Sequence, residues 1–182
     1  SKLRLKAEGR YTRAAAGGTG AAKTSGNYAG TLKPMAEAIT EGFDQILWLD
    51  GRTHRFAEEA GQMNVFFRIG DEVVTPELSG TILPGVTRDT VIQLLSDWGY
   101  TVSTRQVSIQ ELKSASDAGL LIEMFGAGTA AVIAPIQSIT FHEEELRVNA
   151  HNESELSKRL LDTILGIQHG TLADTHGWTV KI

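Results

Sequence analysis

Gly17-Gly18-Thr19-Gly20-Ala21-Ala22-Lys23-Thr24 admits two chemical readings, and the choice between them decides the fold. The stretch nearly spells the phosphate-binding loop G-x-x-x-x-G-K-[ST], which needs a buried strand before it and a helix after it. Ala22 stands where the second glycine belongs, Arg10 to Ala16 makes a poor buried strand, and Gly26-Asn27 breaks a helix begun at Lys23. The second reading is covalent aldehyde chemistry. One lysine framed by glycines and small residues, with the phenol of Tyr28 five positions on, lets a planar group approach the backbone and offers it an amine nucleophile. Beside both stands the plain reading of Lys23 as a solvated loop lysine, the usual place of that residue type.

Working outward, strand and helix signals interleave without a repeat. Ser1 to Lys6 alternates like a half-buried strand, and Tyr28 to Glu41 carries Leu32, Met35, Ala36 and Ile39 at helical spacing up to Gly42. Gln45–Gly51 is expected as a strand running into a turn, and further strands at Met63–Ile69 and Glu72–Thr75, the last stopped by Pro76. A helix opening at Thr87-Arg88-Asp89 turns Val91, Leu94, Leu95 and Trp98 inward and ends at Gly99. A strand at Thr101–Val107, a short helix near Ser108–Ser116, and two strands at Leu120–Phe125 and Ala130–Ile139 flanking a glycine turn follow. Glu153–Gly170 closes the chain as a helix with Leu156, Leu160, Ile164 and Ile167 inward. The mixture predicts an α/β (mixed α+β) architecture whose order does not reduce to a βαβ repeat.

Composition narrows the function classes. At 182 residues and 41% hydrophobic the chain can bury one core, so 1–182 is read as a single domain. A net charge of −5 without a long basic run argues against nucleic acid or an anionic membrane as partner. The lack of cysteine excludes disulfides, thiolate metal sites and a cysteine nucleophile, and no metal site is expected. With neither a signal peptide nor an 18-residue apolar run, a cytoplasmic protein is the expectation.

Three further segments are suited to chemistry. Glu58-Glu59-Ala60-Gly61-Gln62-Met63-Asn64 sets two carboxylates before an apolar strand, where one could keep a ring nitrogen protonated or both could form a solvated acidic turn. Leu83-Pro84-Gly85-Val86-Thr87-Arg88 delivers a turn into a helix whose unpaired N–H groups suit a phosphate, with Thr87 as an added donor or simply as the cap. Gly126-Ala127-Gly128-Thr129-Ala130-Ala131 fits a loose dinucleotide pattern, but β-branched residues and Pro135 follow it instead of a helix. What remains is a turn able to present N–H groups and the Thr129 hydroxyl to an anion.

In order, the Lys23 loop with Asn27-Tyr28, Leu47-Trp48-Leu49, Glu59 to Asn64, Leu83 to Arg88 and Met124 to Ala130 closely resemble the branched-chain amino acid aminotransferases, pyridoxal-phosphate enzymes of fold type IV. The resemblance runs from about Tyr11 to Trp178. It implies the large domain of that fold, a mixed sheet or pseudo-barrel with surrounding helices. It implies pyridoxal 5'-phosphate as cofactor, held covalently by Lys23, which also moves the substrate's Cα proton. Tyr28 matches the partner of the cofactor's phenolate oxygen and Glu59, rather than Glu58, the carboxylate at its pyridine nitrogen. Leu83 matches the residue on the ring face, Val86 and Thr87 the phosphate-binding helix start, and Thr129 a further phosphate donor; Arg13 has a counterpart near the phosphate. The N–H groups of Thr129 and Ala130 match donors to the substrate carboxylate.

The implied activity is amino transfer between leucine, isoleucine or valine and 2-oxoglutarate. Gln62 departs from the pattern, since many relatives carry threonine or glycine there. The family also has a small N-terminal domain that nothing in this sequence matches, so the chain is expected to be the cofactor-holding part of a homodimeric enzyme and a weak transaminase alone. A D-amino acid aminotransferase, an aminodeoxychorismate lyase and a non-catalytic phosphate-binding domain are the other readings left open.

Overall fold

The computed structural model describes residues 2–149 and 155–180. Its elements in chain order are β1 (Leu3–Glu8), α1 (Gly26–Ala29), α2 (Leu32–Thr40), β2 (Gln45–Leu49), β3 (Ala57–Ala60), β4 (Met63–Ile69), β5 (Glu72–Thr75), α3 (Val86–Asp97), β6 (Thr101–Thr104), α4 (Ile109–Asp117), β7 (Leu121–Gly128), β8 (Val132–Phe141), β9 (Glu144–Arg147) and α5 (Glu155–Gln168). The strands form one mixed sheet in the order β3-β2-β1-β8-β7-β4-β5-β6, with β9 paired to β8. Because β3 also pairs with β4, the run from β3 to β4 closes on itself as a barrel of six strands. Strand β4 makes the closure possible by dividing one edge, giving Asn64 and Met63 to β3 and Phe67 to Ile69 to β5. This is the mixed α+β barrel with surrounding helices that the sequence leads one to expect.

The central strands β2, β3, β4 and β7 are largely buried on both faces, and the two faces feed different cores. Leu5, Leu47, Leu49, Val65, Phe67 and Ile136 belong to the core that also holds Leu112 and Ala115 of α4. Phe66 and Phe125 face the other way and stack at 5.1 Å, under Val91, Leu94 and Leu95 of α3 and Leu156, Leu160 and Ile164 of α5. A third cluster joins Ala38 of α2 to Ile46 and Trp48 of β2. The centre of β4, Val65-Phe66-Phe67, therefore reads as an unbroken apolar run, as a strand covered on both sides should.

Helix ends are set by identifiable groups. Ser108 caps α4 by accepting from the Glu111 N–H. The buried carboxylate of Glu123 on β7 accepts from the N–H groups of Leu156 and Ser157 and from the Ser157 hydroxyl, so a strand caps α5 across the fold. Among the described residues no helix is long and apolar enough to cross a membrane.

Several sequence expectations need correction. The helix expected over Tyr28–Glu41 is two helices, and the second turns its other face inward: Pro34 and Ala38 are buried while Leu32 and Ile39 are 72% and 58% exposed. Small residues at the contact let α2 lie close on Trp48, which outweighs the apolar stripe. Glu58-Glu59 is no solvated turn but part of a strand whose residues are all buried. Helix α3 begins at Val86 with Gly85 as its cap, so Thr87 is an interior residue of the first turn. Gly126 and Gly128 extend β7, and the turn is Thr129 to Ala131. Strand β6 stops at Thr104, and β9 carried no recognised signal. The start of the closing helix at Glu153, like Ser1, lies outside the described residues.

Barrel closure hinges on the two-residue turn between β3 and β4. Gly61 takes its first position with φ +61°, the left-handed value that a tight hairpin of native twist demands there. A Cβ on Gly61 would also collide with the side-chain amide of Gln45. Gly70, with φ +56°, has nothing within 4 Å of the same position. Gly70→Ala is expected to cost about 1–2 kcal/mol, the left-handed penalty alone, and Gly61→Ala measurably more. Urea unfolding of the two variants compares them, and equal losses would mean that Gln45 yields freely.

Candidate active site

Four segments meet in one cleft at the closure of the barrel: the Lys23 loop, the β3–β4 hairpin, the loop leading into α3, and the turn after β7. The cleft consists of two hollows of about 330 and 310 Å³ that share Lys23, Glu59, Gln62 and Leu83. Arg13, Asn27 and Tyr28 line the first, and Asn64, Val86, Thr87 and Thr129 the second. Residues far apart in sequence are thus gathered around Lys23 and Glu59. Ala130 lines neither hollow and is exposed in the turn after Thr129.

The Lys23 loop is built by its own polar groups. Asn27 Nδ2 donates to the carbonyls of Thr19 and Ala22 at 2.9 and 2.7 Å, which folds the loop back on itself. A Cβ on Gly20 would lie 2.5 Å from the Thr81 carbonyl oxygen, so only glycine lets this loop press against residues 79–83. Lys23 is exposed, and its Nζ reaches across the cleft to donate to Thr129 Oγ1 at 2.9 Å.

Glu59 faces the cleft from the buried side. Its Oε1 accepts from the Leu83 N–H at 2.8 Å and lies 3.2 Å from an Arg13 guanidinium nitrogen; the two side chains are 4% and 7% exposed. Arg13 also donates to the Thr81 carbonyl at 2.6 Å and the Gly20 carbonyl at 3.3 Å. It therefore stands at the Glu59 end and lines the hollow away from Thr87. Burial pushes the Glu59 carboxyl up to about 7; Arg13 and the Leu83 N–H pull it down and Glu58 adds to the rise. Glu58 is raised too, chiefly by burial, against a hydrogen bond from Thr81.

At the far end of the cleft, Thr87 and Val86 open α3. The first helical bond runs from the Asp89 N–H to Gly85, so the N–H groups of Val86, Thr87 and Arg88 precede the ladder. Asn64 braces this turn: its Nδ2 donates to the Leu83 carbonyl at 2.8 Å, and its Oδ1 fills the space that a Gly85 Cβ would need. Sequence reasoning assigned no role to Asn27, Asn64 or Thr81. Asn64 did leave a signal, a polar residue inside an apolar run, whereas Thr81 left none.

This geometry can be set beside known proteins. The sequence profile of the family described as Amino-transferase class IV matches residues 7–139. The chain belongs to the class IV aminotransferases. Among curated relatives, the branched-chain-amino-acid aminotransferase 2 of Bacillus subtilis is 48% identical over 99% of this chain and 50% of its own length. The branched-chain-amino-acid aminotransferase of Mycobacterium tuberculosis is 47% identical over 94% of this chain and 48% of its own. In structure, the holo-form branched-chain amino acid aminotransferase of Thermobaculum terrenum, with its cofactor in the PLP form, matches with a TM-score of 0.78 at 27% identity, over 93% of this chain and 52% of that one. The Escherichia coli enzyme gives 0.80 at 27%, over 97% and 56%. This class IV aminotransferase chain spans about half the length of the curated relatives it matches.

The raised carboxyls make stability depend on pH. Folded Glu59 keeps its proton from 4.5, the ordinary value, up to about 7, while the unfolded chain has already released it. Its contribution is therefore full below about 4.5 and lost as pH rises to about 7, and Glu58 acts in the same direction. The thermal midpoint of the cofactor-free chain should fall between about pH 5 and about pH 7.5, and Glu59→Gln should flatten that slope. An unchanged slope in Glu59→Gln would assign the loss to other groups.

Proposed function

We propose that this chain holds pyridoxal 5'-phosphate on Lys23 and transfers amino groups between leucine, isoleucine or valine and 2-oxoglutarate. The observation that carries the reading is the single cleft in which a lysine amine, a phenol, a buried carboxylate paired with arginine, and a helix N-terminus converge. The donor set suits the group: Glu59 for the ring nitrogen, Tyr28 for the ring hydroxyl, and the start of α3 with Thr87 and Thr129 for the phosphate. Leu83 would cover the ring, and the N–H groups of Thr129 and Ala130 would receive the substrate carboxylate. The relatives' names support branched-chain substrates. A further structural neighbour, also a branched-chain amino acid aminotransferase, was solved with 4-methylvaleric acid, which has the carbon skeleton of leucine. The same reading includes a homodimer and a side-chain pocket completed by a small N-terminal domain.

When bound, the cofactor supplies an aldehyde that takes up an amino group and a ring that draws electrons from the carbon bearing it. Everything else falls to the protein. Lys23 Nζ would hold the group through its aldehyde carbon and, as a free amine, would take the substrate's Cα proton as general base and deliver it as general acid to that former aldehyde carbon. Thr129 Oγ1, 2.9 Å from Nζ, holds that amine at the cleft's centre. Glu59 would hold a proton at the ring nitrogen, with Arg13 favouring the ionised carboxylate beside that cation. Burial makes these charges act strongly, because little water screens them.

Borohydride reduction of the chain incubated with pyridoxal phosphate, followed by peptide mapping, should put the label on the peptide holding Lys23. Label on Lys33 or Lys113 instead would overturn the assignment. In steady-state assays of leucine with 2-oxoglutarate, Glu59→Gln should lower kcat by about a hundredfold or more while the label on Lys23 persists. Glu58→Gln, which keeps an acceptor for Thr81, should stay within about threefold of the parent. Equal losses at the two positions would mean that the ring nitrogen does not face Glu59.

A further inference from the structure

Glu58 has no place in the chemistry above, yet the fold goes to some length to hold it. It is 6% exposed, one of two consecutive carboxylates inside a barrel wall. The pairing of β2 with β3 matches Trp48 to Glu59 and Leu49 to Ala57, so Glu58 is the residue left out of register. Such a bulge re-aims a side chain. Glu58 accordingly lines a different hollow from Glu59, one of about 270 Å³ shared with Asp50, Glu77 and Ser79.

There its Oε1 accepts from the Thr81 hydroxyl at 2.5 Å. Since Thr81 spends its proton on Glu58, Ser79 Oγ, 2.7 Å from Thr81 Oγ1, donates to it in turn. Glu58 Oε2 is buried without a hydrogen-bond partner. On its other side Thr81 offers its carbonyl oxygen to Arg13 at 2.6 Å, the shortest of that guanidinium's bonds, and Arg13 meets Glu59 at 3.2 Å. An unbroken chain of contacts therefore runs Glu58, Thr81, Arg13, Glu59.

We infer that Glu58 is a positioning residue: by fixing Thr81 it fixes Arg13, and through Arg13 it sets how Glu59 presents its carboxyl to the cleft. Thr81 sits on a loop between Pro76 and Gly85 with no regular backbone ladder, so its carbonyl direction depends on the side-chain hold. Without that hold Arg13 loses its shortest bond. Among the described residues, the titratable groups that line the two hollows with the pair are Asp50 and Glu77 on the Glu58 side, Lys23 and Tyr28 on the Glu59 side, and Arg13 between them.

Two substitutions separate this link from a bare charge effect. Glu58→Gln keeps the acceptor for Thr81 and removes a negative neighbour, so Glu59 should titrate at lower pH. Glu58→Val removes the acceptor as well. Arg13 acts on Glu59 more strongly than Glu58 does, so its loosening dominates and Glu59 should titrate at higher pH. The measurement is a carboxyl NMR titration of the cofactor-free chain, with the Glu59 resonance assigned by its loss in Glu59→Gln and shifts of about half a pH unit or more expected in each direction. A Glu58 that merely filled space would lower stability and leave that titration where it was. If both variants move Glu59 downward together, Glu58 acts by charge alone and the link through Thr81 is refuted. Should Glu58→Val not fold, Thr81→Val breaks the same link and is expected to move Glu59 upward, with no shift or a downward one overturning the proposal. The bearing of the link on amino transfer rests on the functional reading above. The titration does not, so a failed link and a failed cofactor assignment give different results.

Discussion

The contact between Arg13 and Glu59 is the constraint around which this molecule is arranged. A guanidinium and a carboxyl lie 3.2 Å apart with almost no exposure; burial holds the proton on Glu59 up to about 7, and once it ionises the carboxylate depends on Arg13. Removing Glu59 would leave the buried guanidinium without its acid partner, and removing Arg13 would drive Glu59 further toward its neutral form. The pair does more than cancel charge. Arg13 belongs to the segment that leads into the Lys23 loop, its other bonds go to the carbonyls of Gly20 and Thr81, and Glu59 also accepts from Leu83. One ion pair thereby ties the lysine loop, the barrel wall and the approach to α3 into a single cleft.

Barrel closure is what makes that pair possible. Glu59 is buried because β3 is flanked by β2 on one side and β4 on the other, and β3 reaches β4 only because Gly61 turns the chain within two residues. In an open sheet β3 would be an edge strand and its carboxylate would meet water. Its charge would then be screened and its affinity for a proton ordinary. The raised Glu59 carboxyl is thus a property of topology as much as of neighbours. The same closure leaves Gln62 exposed in the lining of both hollows, where its side chain can meet what enters.

Much of this was legible in the sequence, and the misses share a cause. Strands β2, β4 and β5 and the stripe of α3 could be read because local apolar pattern and glycine or proline stops agree with the final packing. The Lys23 loop, Glu59 and the turn before Val86 stood out by residue type, and the fold brings them together. What local pattern could not supply was burial created by distant segments. Glu58-Glu59 looks solvated until β2 and β4 cover it, and α2 presents Pro34 and Ala38 inward only because Trp48 leaves room for small residues. Arg13 likewise carries no local sign of which end of the cleft it serves, since its partners Gly20, Glu59 and Thr81 are spread along the chain and two of them lie far off in sequence.

The cleft separates two electrostatic tasks by position. At one end a carboxylate is held ready for a cation, under the control of Arg13 and a single backbone N–H. At the other, the unpaired N–H groups of α3 and the hydroxyls of Thr87 and Thr129 await an anion. Lys23 lies between, lining both hollows and bonded to Thr129. A ligand positive at one end and negative at the other would be oriented before any covalent step, with its reactive atom carried to the amine. Orientation of this kind is where much of a catalyst's advantage arises, because the groups need not be gathered at the moment of reaction. Both ends are fixed by bonds the protein makes to itself, Asn64 bracing the loop before α3 and Arg13 bracing Glu59. The exposed element at the centre is therefore the lysine side chain itself, which suits the double task proposed for it of holding a ligand and moving a proton.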